Sequence, residues 1–154
     1  MDPMIAALLE SGAYDHPVGR IALIETHISW VLLTGPYAYK LKKPVDLGFV
    51  NFTTPERRRW FCEEELRLNR RLAPDLYIGL REVYGPPVRA SFQGEGPAID
   101  VAVQMHQFPQ EDLLPSVLAR GELTAAQLDQ LAEVLVCFHG AAAVAAAEQP
   151  FGSP

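Results

Sequence analysis

The stretch from Arg20 to Pro44 constrains the fold most, because it is rich in β-branched and aromatic residues and contains the pair Gly35-Pro36. This composition favours strands, and the Gly-Pro pair favours a tight turn between two of them. The first part of the chain should therefore build a sheet from neighbouring strands. We predict three strands, over residues 20–26, 28–34 and 37–43.

A helix is predicted directly after these strands. Thr53 and Glu56 have the spacing of a capping box, and Pro55 lies in the first turn, where its missing N–H costs no hydrogen bond. The helix should run to about Leu72, because a proline follows closely. A shorter helix within residues 3–12 is predicted to cover the sheet from the N-terminal side.

Further strands are predicted after the long helix. Residues 77–83 form one of them, and a hairpin with arms at 88–92 and 98–108 follows, with glycines and a proline between the arms. The sheet should then have about five strands and be mainly antiparallel. The fold class is therefore α+β.

The last third of the chain is predicted to be helical. A short helix is expected around residues 113–118, and Thr124 can cap a longer helix through Ala147, before a tail at 150–154 that is rich in helix breakers. We therefore divide the chain into a sheet-containing domain, 1–108, and a helical domain, 109–154.

Composition excludes several classes of function. The 154 residues carry a formal net charge of −6 at pH 7, which argues against broad binding to nucleic acid. Cys62 and Cys137 lie far apart and in no C-x-x-C spacing, so neither a disulfide framework nor a zinc site is expected. The apolar run Ile5–Leu9 is too short for a signal peptide or a membrane span. We expect a cytoplasmic protein with no structural metal and no membrane contact.

The third predicted strand carries the clearest chemical pattern. Alternation places Ala38, Lys40 and Lys42 on one face and Tyr39 and Leu41 on the other. The first face would suit a nucleotide, because a small residue lets a flat base approach and a lysine reaches phosphates as a point charge. The alternative is an edge-strand lysine that prevents aggregation. The pattern also leaves open which lysine would contact phosphate.

Glu65 supplies a second candidate residue. On the predicted helix it shares a face with Phe61, Leu68 and Leu72, and a carboxylate on an apolar stripe needs a partner. In protein kinases the lysine of the third strand pairs with a glutamate of the next helix, and Lys40 and Glu65 fit those places. The alternative is a solvated acidic turn whose glutamates pair with arginines one helical turn away.

Three segments carry a resemblance to a known family. They are residues 26–31, THISWV; 37–44, YAYKLKKP; and 62–74, CEEELRLNRRLAP. They resemble the bacterial aminoglycoside-phosphotransferase-like family, in particular the branch often fused to a C-terminal P-loop ATPase domain. The similarity runs from about Arg20 to Ala143 and includes the segment VQMHQF at 103–108.

The resemblance implies a two-lobed, protein-kinase-like fold that binds ATP and magnesium, with an incomplete large lobe here. Lys40 would contact phosphates, Glu65 would fix Lys40, the turn from Thr26 to Ser29 would cover the phosphates, and the backbone of 104–108 would hold the adenine edge. The nucleotide-binding residues that it implies are Lys40, Glu65, Ser29, His27, Ala38, Gln104 and Met105.

The chain also departs from the family pattern. No G-x-G-x-x-G loop precedes Lys40, and the family's histidine-glycine-aspartate catalytic loop and acidic metal motif would lie beyond Pro154. We assign no catalytic or metal-binding residue. We expect the N-terminal part of an ATP-dependent small-molecule phosphotransferase, inactive alone and binding ATP weakly or not at all. The acceptor stays unassigned. The alternatives are a non-catalytic nucleotide-binding or protein-interaction module, or a decayed gene product.

A last candidate surface lies on the long C-terminal helix. Leu128, Leu131, Leu135 and Phe138 recur at helical spacing and form an apolar stripe. We name these four residues the leucine stripe. If exposed, such a stripe promotes association, so self-association is expected.

Overall fold

The computed structural model describes residues 1–146. The chain divides into two compact units, Met1–Phe108 and Pro109–Pro154, and each is described by itself. Among the described residues, no helix combines the length and the apolar character that crossing a membrane would require.

In the first unit, five antiparallel strands form one sheet, which confirms the predicted α+β class. The strands are β1, Ala22–Glu25; β2, Ser29–Leu33; β3, Tyr37–Lys42; β4, Tyr77–Val83; and β5, Asp100–His106. Their order across the sheet is β1-β2-β3-β5-β4. Short turns join β1 to β2 and β2 to β3, as predicted for residues 20–44, and β5 lies between β3 and β4.

Two helices accompany this sheet. The first, α1, spans Pro3–Leu8 and is shorter than predicted; Asp2 caps it by accepting a hydrogen bond from the Met4 N–H at 2.8 Å. The second, α2, spans Pro55–Asn69 and lies in the chain between β3 and β4. Helix α1 packs on one face of the sheet and α2 packs on the other.

The predicted cap of α2 is wrong by one residue. Thr54 is the N-cap, and its hydroxyl accepts a hydrogen bond from the Arg57 N–H at 3.3 Å. The hydroxyl of Thr53 instead donates to the side chain of Asn51 at 2.7 Å and stabilises the preceding loop. The helix also ends before the predicted Leu72, in a turn that follows Asn69.

The predicted hairpin over 88–92 and 98–108 is wrong in its first arm. Pro87–Arg89 is a 3₁₀ turn, and only a single bridge between Tyr84 and Ser91 is strand-like. The Phe92 N–H donates to the Ala13 carbonyl at 2.8 Å. The segment is therefore tied to the N-terminal region, and β5 takes β4 as its partner.

The two faces of the sheet have different cores. On one face Leu32, Tyr39 and Leu41 pack with Ile5 and Leu8 of α1. On the other face Cys62 of α2 packs with two valines of β5, at positions 101 and 103. The alternation of β3 therefore directs its aromatic and aliphatic residues to the α1 side and leaves its lysines on the α2 side.

The second unit contains α3, Leu114–Ala119, and α4, Ala125–Gly140. Thr124 caps α4 through a capping box with Gln127, as the sequence indicated for Thr124, but the helix ends well before the predicted Ala147. The predicted tail at 150–154 lies outside the described residues.

The leucine stripe lies on α4. Its members Leu128, Leu131 and Leu135 are 51%, 51% and 39% exposed, and the Phe138 ring contacts the ring of His139. The predicted self-association through this stripe stays a prediction.

Candidate functional site

Two lysines of β3 meet one glutamate of α2. The Lys40 Nζ lies 2.8 Å from Glu65 Oε1, and the Lys42 Nζ lies 2.7 Å from Glu65 Oε2. Each carboxylate oxygen therefore accepts a hydrogen bond from one ammonium group. We call Lys40, Lys42 and Glu65 the lysine–glutamate cluster.

Helix α2 carries Glu65 on the face that it turns toward the sheet. Arg58, Cys62 and Glu65 follow one another at i, i+4 and i+7, which places them on one side of a helix. Arg58 and Cys62 are buried. The predicted stripe is wrong in part, because Leu68 and Leu72 are 45% and 50% exposed. The helix faces the sheet with two charged groups and a thiol instead.

The exposure of the three side chains in the cluster differs strongly. The side chain of Lys40 is 31% exposed, that of Lys42 is 7% exposed and that of Glu65 is 12% exposed. A molecule from solvent can therefore reach Lys40, whereas Lys42 is enclosed. The Lys42 Nζ also lies 5.1 Å from the centre of the Phe52 ring, a favourable position for an ammonium group.

The charge of the cluster is positive. Burial raises the pKa of the Glu65 carboxyl, whereas the hydrogen bonds and charges of Lys40 and Lys42 lower it. The lowering is the larger effect, so the pKa lies below its ordinary value. Glu65 is thus ionised at neutral pH, and one carboxylate faces two ammonium groups. The excess of one positive charge favours an anionic ligand.

Cys62 of α2 lies close enough to this cluster to interact with the charges of Lys42, Glu65 and Lys40. It is fully buried, and burial raises the pKa of its thiol to about 11. The thiol is therefore protonated at neutral pH and acts as a small apolar group of the core. Cys137 of the second unit is exposed and, like Cys62, forms no disulfide.

In the turn before β2, His27 and Ser29, which the resemblance assigns to one binding site, differ in their exposure to solvent. Thr26 holds the turn, because its Oγ1 accepts a hydrogen bond from the Ser29 N–H at 3.0 Å. His27 is exposed, whereas Ser29 is 1% exposed and its hydroxyl has no hydrogen-bond partner within residues 1–146. A ligand in solvent would reach Ser29 Oγ only if the turn moved.

Ala38 and Met105 lie near the cluster, whereas the side chain of Gln104 does not. Ala38 is buried, pairs with Met105 across the two strands and shares the face of Lys40. The Gln104 Nε2 donates to the hydroxyl of Tyr39 at 3.2 Å on the opposite face. Any contact of Gln104 with a ligand on the lysine face would therefore come from its backbone.

The backbone after Met105 is already partly used. The His106 N–H donates to the Leu76 carbonyl at 2.9 Å, and the Gln107 N–H donates to the Pro36 carbonyl at 3.1 Å. These two donors hold the end of β5 in place. An adenine base bound here would have to use other backbone groups of 104–108.

The sequence analysis missed a second ion pair of α2. Arg58 Nε donates to both carboxylate oxygens of Asp100, at 3.0 and 2.9 Å, and Arg58 Nη1 donates to the Phe52 carbonyl at 3.0 Å. Both side chains are less than 10% exposed. The spacing of four residues between Arg58 and Cys62 was the available signal.

The described residues contain no cluster of metal-ligating side chains. Within residues 1–146, no three side chains of histidine, cysteine, aspartate or glutamate come close enough together to hold a metal ion. No chemical step is assigned to the magnesium that the family resemblance implies.

Comparison with known proteins gives relatives without a described function. The chain is 35% identical over 127 residues to uncharacterized proteins of Mycobacterium bovis and of two strains of Mycobacterium tuberculosis. The matched region is 80% of this chain and 24% of each relative, so the chain spans about a quarter of the length of the curated relatives it matches. No known family and no solved structure matches the chain significantly.

Proposed function

We propose that residues 1–108 form a nucleotide-binding lobe like the small lobe of kinase-fold phosphotransferases, in which Lys40 contacts the phosphates. One observation carries this proposal, namely that the lysine of the third strand is held by a glutamate of the following helix at 2.8 Å. Protein kinases use this combination of strand lysine and helix glutamate to place a lysine on the phosphates.

The accessibility of Lys40 supports its role over that of Lys42. Its side chain is 31% exposed, against 7% for Lys42. An ammonium group has three N–H donors, and Lys40 uses one of them on Glu65, so two remain for phosphate oxygens. The positive excess of the lysine–glutamate cluster adds electrostatic attraction for such a group.

The resembling segments support the same proposal from the sequence. Segment 26–31 forms the turn and the start of β2, segment 37–44 contains β3, and segment 62–74 contains the part of α2 that carries Glu65. The fold thus brings the lysine of one segment to the glutamate of another. In a whole protein we propose an ATP-dependent transfer of phosphate to a small molecule, with the acceptor unassigned and the transfer itself performed by residues outside 1–146.

A second candidate is a protein-interaction module. The exposure of the leucine stripe favours it, since apolar residues at helical spacing are usually covered in a folded assembly. This role is compatible with nucleotide binding by the first unit. It would place the interaction on the second unit alone.

The test of the proposal compares two of the three lysines of the chain, Lys40 and Lys43. Binding of ATP, ADP and adenosine is measured by thermal shift and by nuclear magnetic resonance on the wild type, Lys40→Met and Lys43→Met. Lys43 is the matched control, because its side chain is 15% exposed and pairs with Glu25 away from the cluster. A ligand at 100 times its dissociation constant adds about 2.7 kcal/mol of stability, so even weak binding is detectable at millimolar nucleotide.

We expect ATP and ADP, but not adenosine, to stabilise the wild type and Lys43→Met. Lys40→Met should lose this response. The proposal fails if millimolar ATP leaves the wild type unchanged, or if Lys40→Met responds as the wild type does.

A further inference from the structure

We infer that Lys42 is a positioning residue, which holds the Glu65 carboxylate in place while Lys40 is shared with a phosphate. This inference rests on the proposed function, and it assigns a separate role to the second lysine of β3. Lys42 would not touch the nucleotide itself.

The two lysines differ in the oxygen they bind and in their exposure to solvent. Both point to the α2 side of the sheet, but they bind different oxygens of Glu65, at 2.8 Å for Lys40 and 2.7 Å for Lys42. The enclosed Lys42 lies against the Phe52 ring, whereas Lys40 keeps about a third of its side chain in solvent. A phosphate arriving from solvent therefore meets Lys40 first.

The charges give the physical reason for a second lysine. When Lys40 binds a phosphate, its charge is shared between two anions, and a carboxylate that is 12% exposed would lose part of its compensation. Lys42 keeps that compensation, because it stays on the other oxygen. The glutamate can then hold Lys40 through one oxygen without a buried charge being left unpaired.

The pKa of the Glu65 carboxyl is lowered by the two lysines of β3. Lys40 and Lys42 act on it through hydrogen bonds and through their charges, and on α2 itself the buried thiol of Cys62 interacts with Glu65. The other charged residues next to Glu65 on α2 are Glu63, Glu64 and Arg67, and Glu64 pairs with Arg67. A measurement on the Glu65 carboxyl should therefore report mainly on these two lysines.

The experiment measures the Glu65 carboxyl directly. The protein is labelled with ¹³C at the glutamate carboxyls, the Glu65 signal is assigned with Glu65→Gln, and its pKa is titrated in the wild type, Lys40→Met, Lys42→Met and Lys42→Arg. Lys42→Gln, which keeps a polar end group, replaces Lys42→Met if the latter does not fold. Nucleotide binding is measured on the same samples.

We expect the pKa of Glu65 to rise in Lys42→Met and to return toward the wild-type value in Lys42→Arg. ATP should bind the folded Lys42→Met at least tenfold more weakly, and Lys42→Arg should recover most of this loss. An unchanged pKa of Glu65 in Lys42→Met would overturn the inference, and so would wild-type affinity for ATP in that variant.

Failure of the proposed function gives a different pattern. In that case the wild type binds no nucleotide, while the pKa of Glu65 still rises in Lys42→Met. Lys42 would then hold Glu65 for structural reasons only, and its role toward a phosphate would be refuted.

Discussion

Replacing Glu65 with glutamine should destabilise the first unit, because it leaves two ammonium groups on one face of β3 without their carboxylate. Lys42 is 7% exposed, so it would become a buried charge without a counter-ion. Removing one partner of a buried ion pair costs about 3–5 kcal/mol. Lys40 is partly solvated and adds little, and the glutamine oxygen still accepts one hydrogen bond, so we expect a loss of about 3 kcal/mol.

The pH dependence of this loss follows from the pKa of Glu65. The folded state holds that pKa below the ordinary value of 4.5. A lowered pKa means that the stabilisation is complete above the ordinary value and is lost as the pH falls through the folded value. The wild type should therefore be more stable than Glu65→Gln at pH 7, and the difference should shrink below about pH 4.5.

Urea unfolding followed by tryptophan fluorescence measures this difference, since Trp30 and Trp60 both lie in the first unit. The matched control is Glu64→Gln, whose carboxylate forms an exposed pair with Arg67 and should contribute little. The reasoning would be refuted if Glu65→Gln were as stable as Glu64→Gln at pH 7. It would also be refuted if the loss were the same at pH 7 and at pH 3.5.

Two further predictions concern stability and association. Arg58→Met should lower the free energy of unfolding by about 3–5 kcal/mol, because it leaves the buried Asp100 carboxylate unpaired. The control is Arg57→Met, which changes an exposed neighbour and should have little effect. Equal urea midpoints for the two variants would contradict this prediction. Leu131→Ser should weaken the self-association of the chain that we expect through the leucine stripe, because Leu131 and Leu128 are each 51% exposed. Light scattering over a concentration series checks it, and a wild-type mass that stays monomeric throughout would contradict it.

The first three strands were predictable because their signal is local. Alternation in β3 placed Lys40 and Lys42 on one face and Tyr39 and Leu41 on the other, and the core confirms that Tyr39 and Leu41 pack on the α1 side. A period of two residues leaves few alternatives once one face is buried. The shared contact of both lysines with Glu65 was not predictable, since it depends on the distance between a strand and a helix.

The face of α2 was predicted wrongly in part, because apolar residues lie on more than one side of the helix. Phe61, Leu68 and Leu72 gave a plausible stripe, yet the helix turns Arg58 and Cys62 toward the sheet. Each charged residue on that side meets an opposite charge on a strand. Such complementarity depends on tertiary contacts and is invisible to a pattern that counts only apolar positions.

The failed hairpin arm has a similar cause. Residues 88–92 have strand-like composition after Pro86 and Pro87, but their hydrogen bonds lead elsewhere: the Ser91 hydroxyl and the Phe92 N–H both donate to the Ala13 carbonyl, at 3.1 and 2.8 Å. Contacts with a residue almost eighty positions away in sequence therefore outweigh the local strand propensity of this segment.

The Arg58–Asp100 pair and the lysine–glutamate cluster together fix the position of Lys40. Arg58, in the first turns of the helix, is bound to Asp100 at the start of β5, and Glu65, two turns later, is bound to β3. A rotation of the helix would break both pairs and expose two buried carboxylates to an apolar core, at a cost of several kcal/mol. The helix is therefore held to two neighbouring strands, and the accessible end of Lys40 is presented from a rigid support.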